Sequence, residues 1–335
     1  MAITRNVRRL QAYTPGEQPK AKNVVKLNTN ENPYPPSPKC AAVLKGFDLD
    51  RLRRYPDPVF TELREALAAL NGARAENVFV GNGSDEVLAV AAKTFVEDDG
   101  AIGSLDPSYS LYKTLAAIRG VKWTADAKAC SLFLLTNPNA PTGTMKHPAE
   151  VAAFARRFRG VVIVDEAYAD FAAENCMSLA TRTGNRNVIV MRTFSKSYSL
   201  AGLRVGYCVG PKPLIDAMYK VKDSYNVDAV AQAVALAAAK DQAWMRQNVA
   251  KVVKTRGWFV KELAKRGWDT LPSESNFVFT RPAGKKAAQL FEELRERNIY
   301  VRYFKGPKTG DRLRITIGTD PQMRTLLKAI DELNS

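Results

Sequence analysis

A lysine surrounded by small hydroxyl residues stands in the middle of the 335-residue chain. Lys196 follows Thr193 and Ser195, and Arg204 comes eight residues later. A lysine in such a setting can lose part of its hydration and attack a carbonyl carbon as a free amine. Serine and threonine hydroxyls together with an arginine can bind a phosphate group. Taken alone, each of these residues is also typical of a solvent-exposed loop.

Three further polar segments carry residues of related chemistry. Residues 81–86 read GNGSDE before a helical pattern, which indicates an anion site formed by backbone N–H groups or a simple helix cap. The segment lacks the nucleotide P-loop and dinucleotide motifs. Residues 136–143 read TNPNAPTG, a rigid turn whose asparagine amides can hold an oxygen of a flat ligand. Asp165 directly follows a buried apolar run, so its charge needs a partner. That partner can be a protonated ring nitrogen of a ligand, whose ring Tyr168 could also reach, or the N-terminus of a helix that Asp165 caps.

The elements that must position these segments are short strands. Apolar runs of four to six residues alternate with helical patterns between about residues 40 and 245, which predicts an α/β domain with a mostly parallel sheet. Ligands bind at the carboxyl ends of the strands in such sheets, so the four segments are expected to meet. The predicted strands are 77–80, 101–105, 121–124, 131–135, 161–164, 187–192 and 204–209, and the predicted helices are 84–96, 109–118 and 148–158.

The two ends of the chain have different patterns. The first 35 residues contain prolines such as Pro15 and Pro33 and predict an extended arm, because proline fixes φ and cannot continue a helix. Residues 228–266 predict one long helical region. Beyond it the pattern indicates an α+β unit with antiparallel strands, with strands at 276–279, 299–303 and 313–317 and helices at 285–297 and from 321.

The composition narrows the chemistry. Hydrophobic residues make up 46% and charged residues 25% of the chain, which are ordinary globular proportions. No apolar run approaches the roughly 18 residues that a membrane-spanning helix needs. The four cysteines are widely spaced, which predicts free buried thiols in a reduced cytoplasmic protein. His147 is the single histidine, so no metal is expected, and it is predicted to be an exposed residue at a helix start.

The net charge of +16 allows two interpretations. An excess of basic residues is typical of nucleic-acid binding, but it also suits a solvated surface and an anionic small substrate. The basic residues are scattered along the whole chain and form no block. This distribution favours the second interpretation, with neither a nucleic-acid nor a membrane partner.

Taken together, the four polar segments resemble the fold type I aminotransferases, which use pyridoxal 5′-phosphate as cofactor. The resemblance implies a large cofactor-binding domain at 36–245 with a mostly parallel central sheet. It also implies a smaller α+β domain at 246–335, to which the N-terminal arm at 1–35 contributes. The chain further resembles the histidinol-phosphate aminotransferase branch in four motifs, NTNENPY at 28–34, RYPD at 54–57, VRYF at 301–304 and LRITIG at 313–318.

The roles of the cofactor-binding residues carry over by position. Lys196 matches the lysine that forms a Schiff base with the cofactor and moves the α-proton of the substrate. Asp165 matches the carboxylate on the pyridinium nitrogen, which keeps the ring an electron sink. Tyr168 matches the phenol at the ring oxygen O3′, and Tyr109 matches the aromatic side chain that stacks on the ring. The residues that match the phosphate-binding group are Ser84, Asp85, Thr193, Ser195 and Arg204.

The resemblance also implies residues that contact the substrate and the neighbouring subunit. Tyr55 matches a tyrosine that reaches the cofactor phosphate of the neighbour, which implies a homodimer with shared active sites. Arg302 is expected to receive the phosphate of the substrate, and Arg314 matches an arginine that binds a substrate carboxyl group. Tyr34 is a further expected substrate contact.

One position departs from the family pattern. Family members have an asparagine before the proline of P-T-G, where it holds O3′, but this chain has Ala140 there. Either Asn139 takes over this contact or Tyr168 carries it alone. Losing one hydrogen bond to the charged form changes a pKa and does not abolish activity.

The implied function is the transamination of histidinol phosphate with 2-oxoglutarate in histidine biosynthesis, in the cytoplasm. Two alternatives keep every cofactor residue and change the substrate pocket or the bond broken. These are an aromatic amino acid aminotransferase and a phosphothreonine-type decarboxylase. A nucleic-acid-binding regulator is an alternative from a different class, and only the net charge of +16 points to it.

Overall fold

The computed structural model describes residues 3, 5–10, 16–21 and 23–334, so parts of the predicted arm, including Pro15, lie outside the described residues. The strands of the described chain are β1 (Val25–Lys26), β2 (Val78–Gly81), β3 (Ala101–Ser104), β4 (Lys122–Thr124), β5 (Leu132–Thr136), β6 (Val161–Asp165), β7 (Val188–Thr193), β8 (Gly206–Val209), β9 (Asp269–Thr270), β10 (Phe277–Arg281), β11 (Ile299–Tyr300), β12 (Arg302–Tyr303) and β13 (Leu313–Thr316).

The helices of the described chain flank these strands. They are α1 (Arg5–Arg9), α2 (Pro38–Lys45), α3 (Thr61–Asn71), α4 (Ser84–Phe95), α5 (Leu111–Arg119), α6 (Pro148–Arg157), α7 (Met177–Thr181), α8 (Lys212–Tyr219), α9 (Ala229–Ala239), α10 (Gln242–Lys265), α11 (Ala287–Glu296) and α12 (Asp320–Asn334). Short 3₁₀ turns occur at Leu49–Arg53, Ala75–Asn77, Ala127–Ala129, Ala169–Phe171 and Ala201–Leu203.

A seven-stranded sheet forms the centre of the protein, in the order β2-β8-β7-β6-β5-β3-β4. Neighbouring strands from β7 across to β4 run parallel, whereas β8 is antiparallel to both β2 and β7. The predicted α/β fold with a mostly parallel central sheet, the fold of type I pyridoxal-phosphate enzymes, is therefore confirmed.

Both faces of this sheet are buried, as the unbroken apolar runs predict. Successive side chains of a strand point to opposite faces, so Val162 and Val164 join one hydrophobic core while Ile163 joins the other. All three side chains are fully buried. Burying a side chain of this size contributes about 1.5–3 kcal/mol relative to leaving it exposed. The strand ends, where Asp165 lies, are thereby held at fixed positions.

A second sheet has four antiparallel strands in the order β12-β13-β10-β9. The N-terminal part of the chain reaches this region, because Val25 of β1 pairs in parallel with Ile299 of β11. The predicted extended arm is only partly correct, since the described part of it includes the one-turn helix α1. Asn6 in this helix donates a hydrogen bond of 3.1 Å to the carbonyl oxygen of Ile118, which holds the turn against α5.

The long helical region predicted over 228–266 is observed as two helices, because the chain bends between α9 and α10. Asp241 leaves the helical conformation there, and its carboxylate accepts a 2.5 Å hydrogen bond from the hydroxyl of Ser37. Lys39 approaches the same carboxylate at 3.7 Å. A contact with α2 thus interrupts a sequence that is helical by propensity.

The strand predicted over 299–303 divides into two short strands. Residues 299 and 300 pair with β1, and residues 302 and 303 pair with β13. Val301 lies between them, buried at 2% exposure, where the chain passes from one sheet to the other. Helices α2, α3, α7 and α8 were not predicted, because their short amphipathic patterns resemble loops.

The other local predictions agree with the structure. His147 is exposed at the start of α6, where its Nδ1 accepts a 3.1 Å hydrogen bond from the N–H of Ala149. The cysteines are free, and all except the half-buried Cys130 are buried. No helix in the described part of the chain combines the length and the hydrophobicity needed to cross a bilayer.

Candidate active site

A cavity of about 540 Å³ opens at the carboxyl ends of the central strands, between the two larger sheets. Eleven of the predicted site residues line it, so residues far apart in the sequence meet as the strand-end argument requires. They are Ser84, Asp85, Tyr109, Asp165, Tyr168, Thr193, Ser195, Lys196, Arg204, Arg302 and Arg314.

Lys196 lies in the loop that follows β7, and its side chain forms part of the cavity wall. The Nζ atom donates a 3.4 Å hydrogen bond to the carbonyl oxygen of Thr29 and lies 5.8 Å from the centre of the Tyr168 ring. Burial, assisted by the positive charge of Arg314, lowers the pKa of Lys196 to about 8. An appreciable fraction of the side chain is therefore a neutral amine near neutral pH.

Asp165 is the last residue of β6 and is almost fully buried, at 3% exposure. Its carboxylate accepts hydrogen bonds from the hydroxyl of Tyr112 at 2.7 Å and from the N–H of Ala167 at 3.1 Å. Burial outweighs both hydrogen bonds and raises the pKa of Asp165 to about 6. No α-helix begins at Asp165, so its simple role as a helix cap is not observed.

The predicted phosphate-binding residues surround the start of α4. The first N–H groups of a helix have no acceptor within the helix and favour an anion. Gly206 brings β8 close to this point, since an added Cβ would lie 2.4 Å from the nitrogen of Ser84. Arg204 approaches the hydroxyl of Ser195 at 3.4 Å and the carboxylate of Asp85 at 3.5 Å. The N–H groups at the start of α4, the hydroxyl of Ser195 and the guanidinium of Arg204 are donors of the kind that bind a phosphate group.

Tyr168 has a partner that the sequence did not reveal. Its hydroxyl accepts a 2.9 Å hydrogen bond from the side-chain amide of Asn30, whose own oxygen accepts from Thr316 at 3.0 Å. Burial raises the pKa of Tyr168, so the phenol keeps its proton. With the acceptor side of the hydroxyl used by Asn30, that proton is available to a ligand oxygen.

Asn139 does not occupy the position that we expected. Its side-chain NH₂ donates to the carbonyl oxygen of Pro107 at 3.1 Å and to the hydroxyl of Thr142 at 3.0 Å. Its oxygen accepts a 3.0 Å hydrogen bond from the hydroxyl of Ser108. These contacts hold the Asn139 amide within the turn and away from the cavity, and Ala140 lines the cavity instead. Asn139 thus does not line the cavity, and its contact with a ring oxygen stays a prediction.

Arg302 and Arg314 lie directly opposite each other on the antiparallel strands β12 and β13. Both guanidinium groups lie near the ring of Phe304, with their Cζ atoms 5.4 and 5.2 Å from its centre. Arg314 also donates a 2.8 Å hydrogen bond to the carbonyl oxygen of Asn28. The alternation predicted for this strand is observed, because Val301 is buried in the core while Arg302 lines the cavity.

Besides Asn139, two more predicted residues lie outside the cavity wall. Tyr34 packs under the ammonium group of Lys251, 4.9 Å from its ring centre, and is not among the lining residues, so its expected substrate contact is not observed. Tyr55 is 79% exposed and stacks on Tyr225 with ring centres 4.3 Å apart. It does not reach the cavity of its own chain, and its contact with a neighbouring subunit stays a prediction.

Several residues in or directly behind the cavity wall were missed in the sequence. Tyr112 follows Tyr109 by three residues, which is the spacing of one helix face, and this signal could have been used. Lys305 and Lys308 follow Arg302 in the same loop, and Lys308 pairs with Asp106 at 2.7 Å. Asn30 carried no local signal, because its partner Tyr168 lies 138 residues away.

The chemistry of these donors fits pyridoxal 5′-phosphate. A phosphate cradle, a buried carboxylate for a ring nitrogen, a phenol for a ring oxygen and an amine of lowered pKa surround one cavity. The fold and the cavity thus define a pyridoxal-phosphate-dependent enzyme of fold type I.

Comparison with known proteins agrees with this class. The family model "Aminotransferase class I and II" matches residues 22–125 and 124–330. A histidinol-phosphate aminotransferase 1 of Bradyrhizobium diazoefficiens is 45% identical over 98% of this chain and 97% of its own length. A histidinol-phosphate aminotransferase of Acetobacter pasteurianus is 44% identical over 98% and 96%. The chain belongs to the class I and II aminotransferase family and is a pyridoxal-phosphate-dependent transaminase.

A solved structure confirms the fold over the whole chain. The histidinol-phosphate aminotransferase of Sinorhizobium meliloti, determined in complex with pyridoxal-5′-phosphate, superposes with a TM-score of 0.88. The match covers 99% of this chain and 98% of that structure at 24% sequence identity.

The buried charge of Asp165 predicts a pH-dependent stability of the apoprotein. Its pKa is about 6 in the folded state and about 3.9 in the unfolded chain. Between these values the folded state binds more protons, so this carboxyl lowers the free energy of unfolding as the pH rises. Between about pH 5 and about pH 8, we expect the free energy of unfolding of the wild-type apoprotein to fall by about 1.4 kcal/mol more than that of Asp165→Asn. Urea unfolding of both apoproteins measures this difference.

The control is Asp216→Asn, which removes an exposed aspartate that pairs with Lys212. This variant should follow the wild type over the same pH range. Parallel curves for wild type and Asp165→Asn would show that the carboxyl is not desolvated in the folded protein.

Proposed function

We propose that this transaminase transfers the amino group of histidinol phosphate to 2-oxoglutarate, a step of histidine biosynthesis. Relatives that bear the name histidinol-phosphate aminotransferase match it over nearly their whole length at 40–45% identity. The observation that carries the proposal within the structure is the pair Arg302 and Arg314, because it presents two positive side chains to the cavity and so suits anionic groups on the substrates.

Like charges directly opposite on neighbouring strands destabilise a sheet. Arg302 and Arg314 hold such positions and both line the cavity. The ring of Phe304 between them offsets part of the repulsion through cation–π contacts. A phosphate or carboxylate at this wall would form charge-assisted hydrogen bonds with the two guanidinium groups. The phosphate of the amino donor and the carboxylates of the 2-oxo acid are such anions.

The wider charge balance of the cavity supports the same conclusion. Seven lysine and arginine side chains line it, against three aspartates. One aspartate, Asp106, is paired with Lys113 at 3.0 Å and with Lys308 at 2.7 Å. The surplus of positive charge suits a cavity that holds one phosphate of a cofactor and a second anion on the substrate.

We infer the following roles for the chain's residues. Bound pyridoxal phosphate supplies a carbonyl carbon that accepts the amino group and a ring that withdraws electrons. Asp165 holds the ring nitrogen in its protonated form, and Tyr168 donates its proton to O3′. Lys196, whose pKa is lowered to about 8, would accept a proton from the α-carbon of the donor and deliver it to C4′ of the cofactor. Arg302 binds the donor's phosphate and Arg314 the acceptor's carboxylate.

The remaining inferred residues anchor and stack the cofactor. The phosphate cradle consists of the start of α4 with Ser84 and Asp85, the hydroxyls of Thr193 and Ser195, and Arg204. Tyr109 stacks on the ring, and its own ring packs edge-on against Tyr112 with centres 5.6 Å apart. We also infer a cofactor-binding domain at 36–245, and a small domain formed by 246–335 with the arm at 1–35.

We further infer a homodimer in which Tyr55 completes the site of the neighbour. Large apolar side chains near Tyr55 are exposed, with Leu49 at 73% and Leu52 at 54%. Large apolar side chains that are exposed within one short segment support a protein interface there. The free cysteines are consistent with a reducing compartment, and we place the enzyme in the cytoplasm.

A half-reaction screen tests the substrate assignment. Histidinol phosphate should convert the yellow holoenzyme to its amino form faster than phenylalanine, tyrosine or phosphothreonine. Arg302→Ala should raise the KM for histidinol phosphate by roughly tenfold or more, because a charged hydrogen bond to a phosphate contributes about 1.5–3 kcal/mol. The KM for aromatic amino acids, where they react, should change much less.

Arg281→Ala is the matched control, since this exposed arginine lies on the same sheet but pairs with Asp269. Its kinetics should equal those of the wild type. An equal loss for phosphorylated and aromatic donors in Arg302→Ala would favour an aromatic aminotransferase. Release of carbon dioxide from phosphothreonine as the main reaction would favour the decarboxylase.

Subunit mixing tests the shared site. Tyr55→Phe and Lys196→Ala damage different residues, so heterodimers should contain one site with both residues intact if Tyr55 acts across the interface. Mixing the two variants should therefore restore activity, measured after subunit exchange has been verified by mass spectrometry. Exchange without recovery would place Tyr55 outside the neighbour's site.

A further inference from the structure

Tyr112 is a buried tyrosine whose hydroxyl has a defined partner at the floor of the cavity. It lies on α5, is fully buried, and donates a 2.7 Å hydrogen bond to Oδ2 of Asp165. Of the two carboxylate oxygens, Oδ1 is held by the N–H of Ala167 at 3.1 Å. Backbone and tyrosine together therefore fix the plane of the carboxylate.

A chain of hydroxyl groups fixes the direction of this hydrogen bond. The hydroxyl of Thr136 lies 2.6 Å from that of Tyr112, and either oxygen can be the donor. When Tyr112 gives its single proton to the carboxylate, Thr136 must donate to Tyr112. Ser108 lies 3.2 Å from Thr136 and 3.0 Å from the amide oxygen of Asn139, and its single proton can go to only one of these two oxygens. The direction of the hydrogen bond to Asp165 is therefore set by the pair Thr136 and Tyr112.

We propose that Tyr112 is a positioning residue, which orients the Asp165 carboxylate toward the ring nitrogen of the cofactor and keeps it ionised. The proposal rests on the proposed function, in which Asp165 holds that nitrogen.

The electrostatic surroundings make the tyrosine necessary. Asp85 at the start of α4 and Glu166 of the same turn carry charges that oppose ionisation of Asp165. Tyr168 also faces this carboxyl and remains protonated. The hydrogen bond from Tyr112 favours the carboxylate, whereas burial opposes it. Without that hydroxyl, the apoprotein would present a protonated or misoriented carboxyl to the cofactor.

Tyr112→Phe is the decisive variant, because it keeps the ring that packs against Tyr109 and removes only the hydroxyl. Tyr207→Phe is the matched control, since Tyr207 is a buried tyrosine of β8 whose hydroxyl accepts from Asn71 at 3.3 Å. The measurements are urea unfolding of the apoproteins at about pH 5 and about pH 8 and the dissociation constant of pyridoxal phosphate. Both are repeated in an Asp165→Asn background.

We expect Tyr112→Phe to weaken pyridoxal-phosphate binding at least about tenfold at the higher pH, with a comparable fall in kcat and a KM for the amino donor within about twofold. The loss of apoprotein stability should be larger at the higher pH, where Asp165 is ionised. This pH difference should disappear in Asp165→Asn, because coupled residues are not additive. Tyr207→Phe should leave pyridoxal-phosphate binding within about twofold of the wild-type value.

The role of Tyr112 would be overturned by the following combination of results. Tyr112→Phe destabilises the apoprotein equally at both pH values, the same loss is seen in the Asp165→Asn background, and cofactor binding is normal. Should Tyr112→Phe not fold, Thr136→Val removes the donor behind the tyrosine and should shift the same quantities in the same direction. No shift in that variant would also overturn the proposal. Failure of the wild-type protein to bind pyridoxal phosphate would instead overturn the proposed function.

Discussion

The site depends on a carboxylate that the fold buries at the end of a central strand. Asp165 belongs to β6, which has partners on both sides, so neither its backbone nor its neighbours can move to hydrate it. Burial raises its pKa to about 6, so that ionising this carboxyl lowers the stability of the folded apoprotein. The same burial places a hydrogen-bond acceptor at the floor of the cavity. A protonated ring nitrogen is the partner that compensates such a charge.

The N-terminal segment connects this floor to the arginine wall. The carbonyl oxygens of Asn28 and Thr29 accept from Arg314 and Lys196 respectively, and Asn30 donates to Tyr168. Asn32 donates to the carbonyl oxygen of Lys196 at 3.2 Å. One short stretch of chain thus contacts the amine, the phenol and a substrate-facing arginine. The same stretch continues from β1, which pairs with β11, and so ties the cavity to the C-terminal strands.

Local patterns were sufficient to predict the central sheet and the strand ends at which the cavity opens, because hydrophobic periodicity and strand-end placement depend on neighbouring residues. The resemblance to the aminotransferases supplied the roles of the predicted residues that line the cavity. Long-range contacts explain the failures. The chain bends between α9 and α10 because Asp241 bonds to Ser37, about two hundred residues earlier. Asn139 matched the family only approximately, and contacts with Pro107 and Ser108 decide its orientation. Nothing in the sequence near Tyr34 indicated that it would pack against Lys251.

The central claim is that Lys196 carries the cofactor, and covalent labelling tests it most directly. Borohydride reduction of the purified yellow enzyme, followed by digestion and mass spectrometry, should place the pyridoxyl label on the peptide that contains Lys196. Lys305→Ala, which changes another lysine of the cavity wall, should keep that label. Lys196→Ala should lose both the label and transamination, the latter by several orders of magnitude. A label found on any other lysine of the wild-type enzyme would contradict the account.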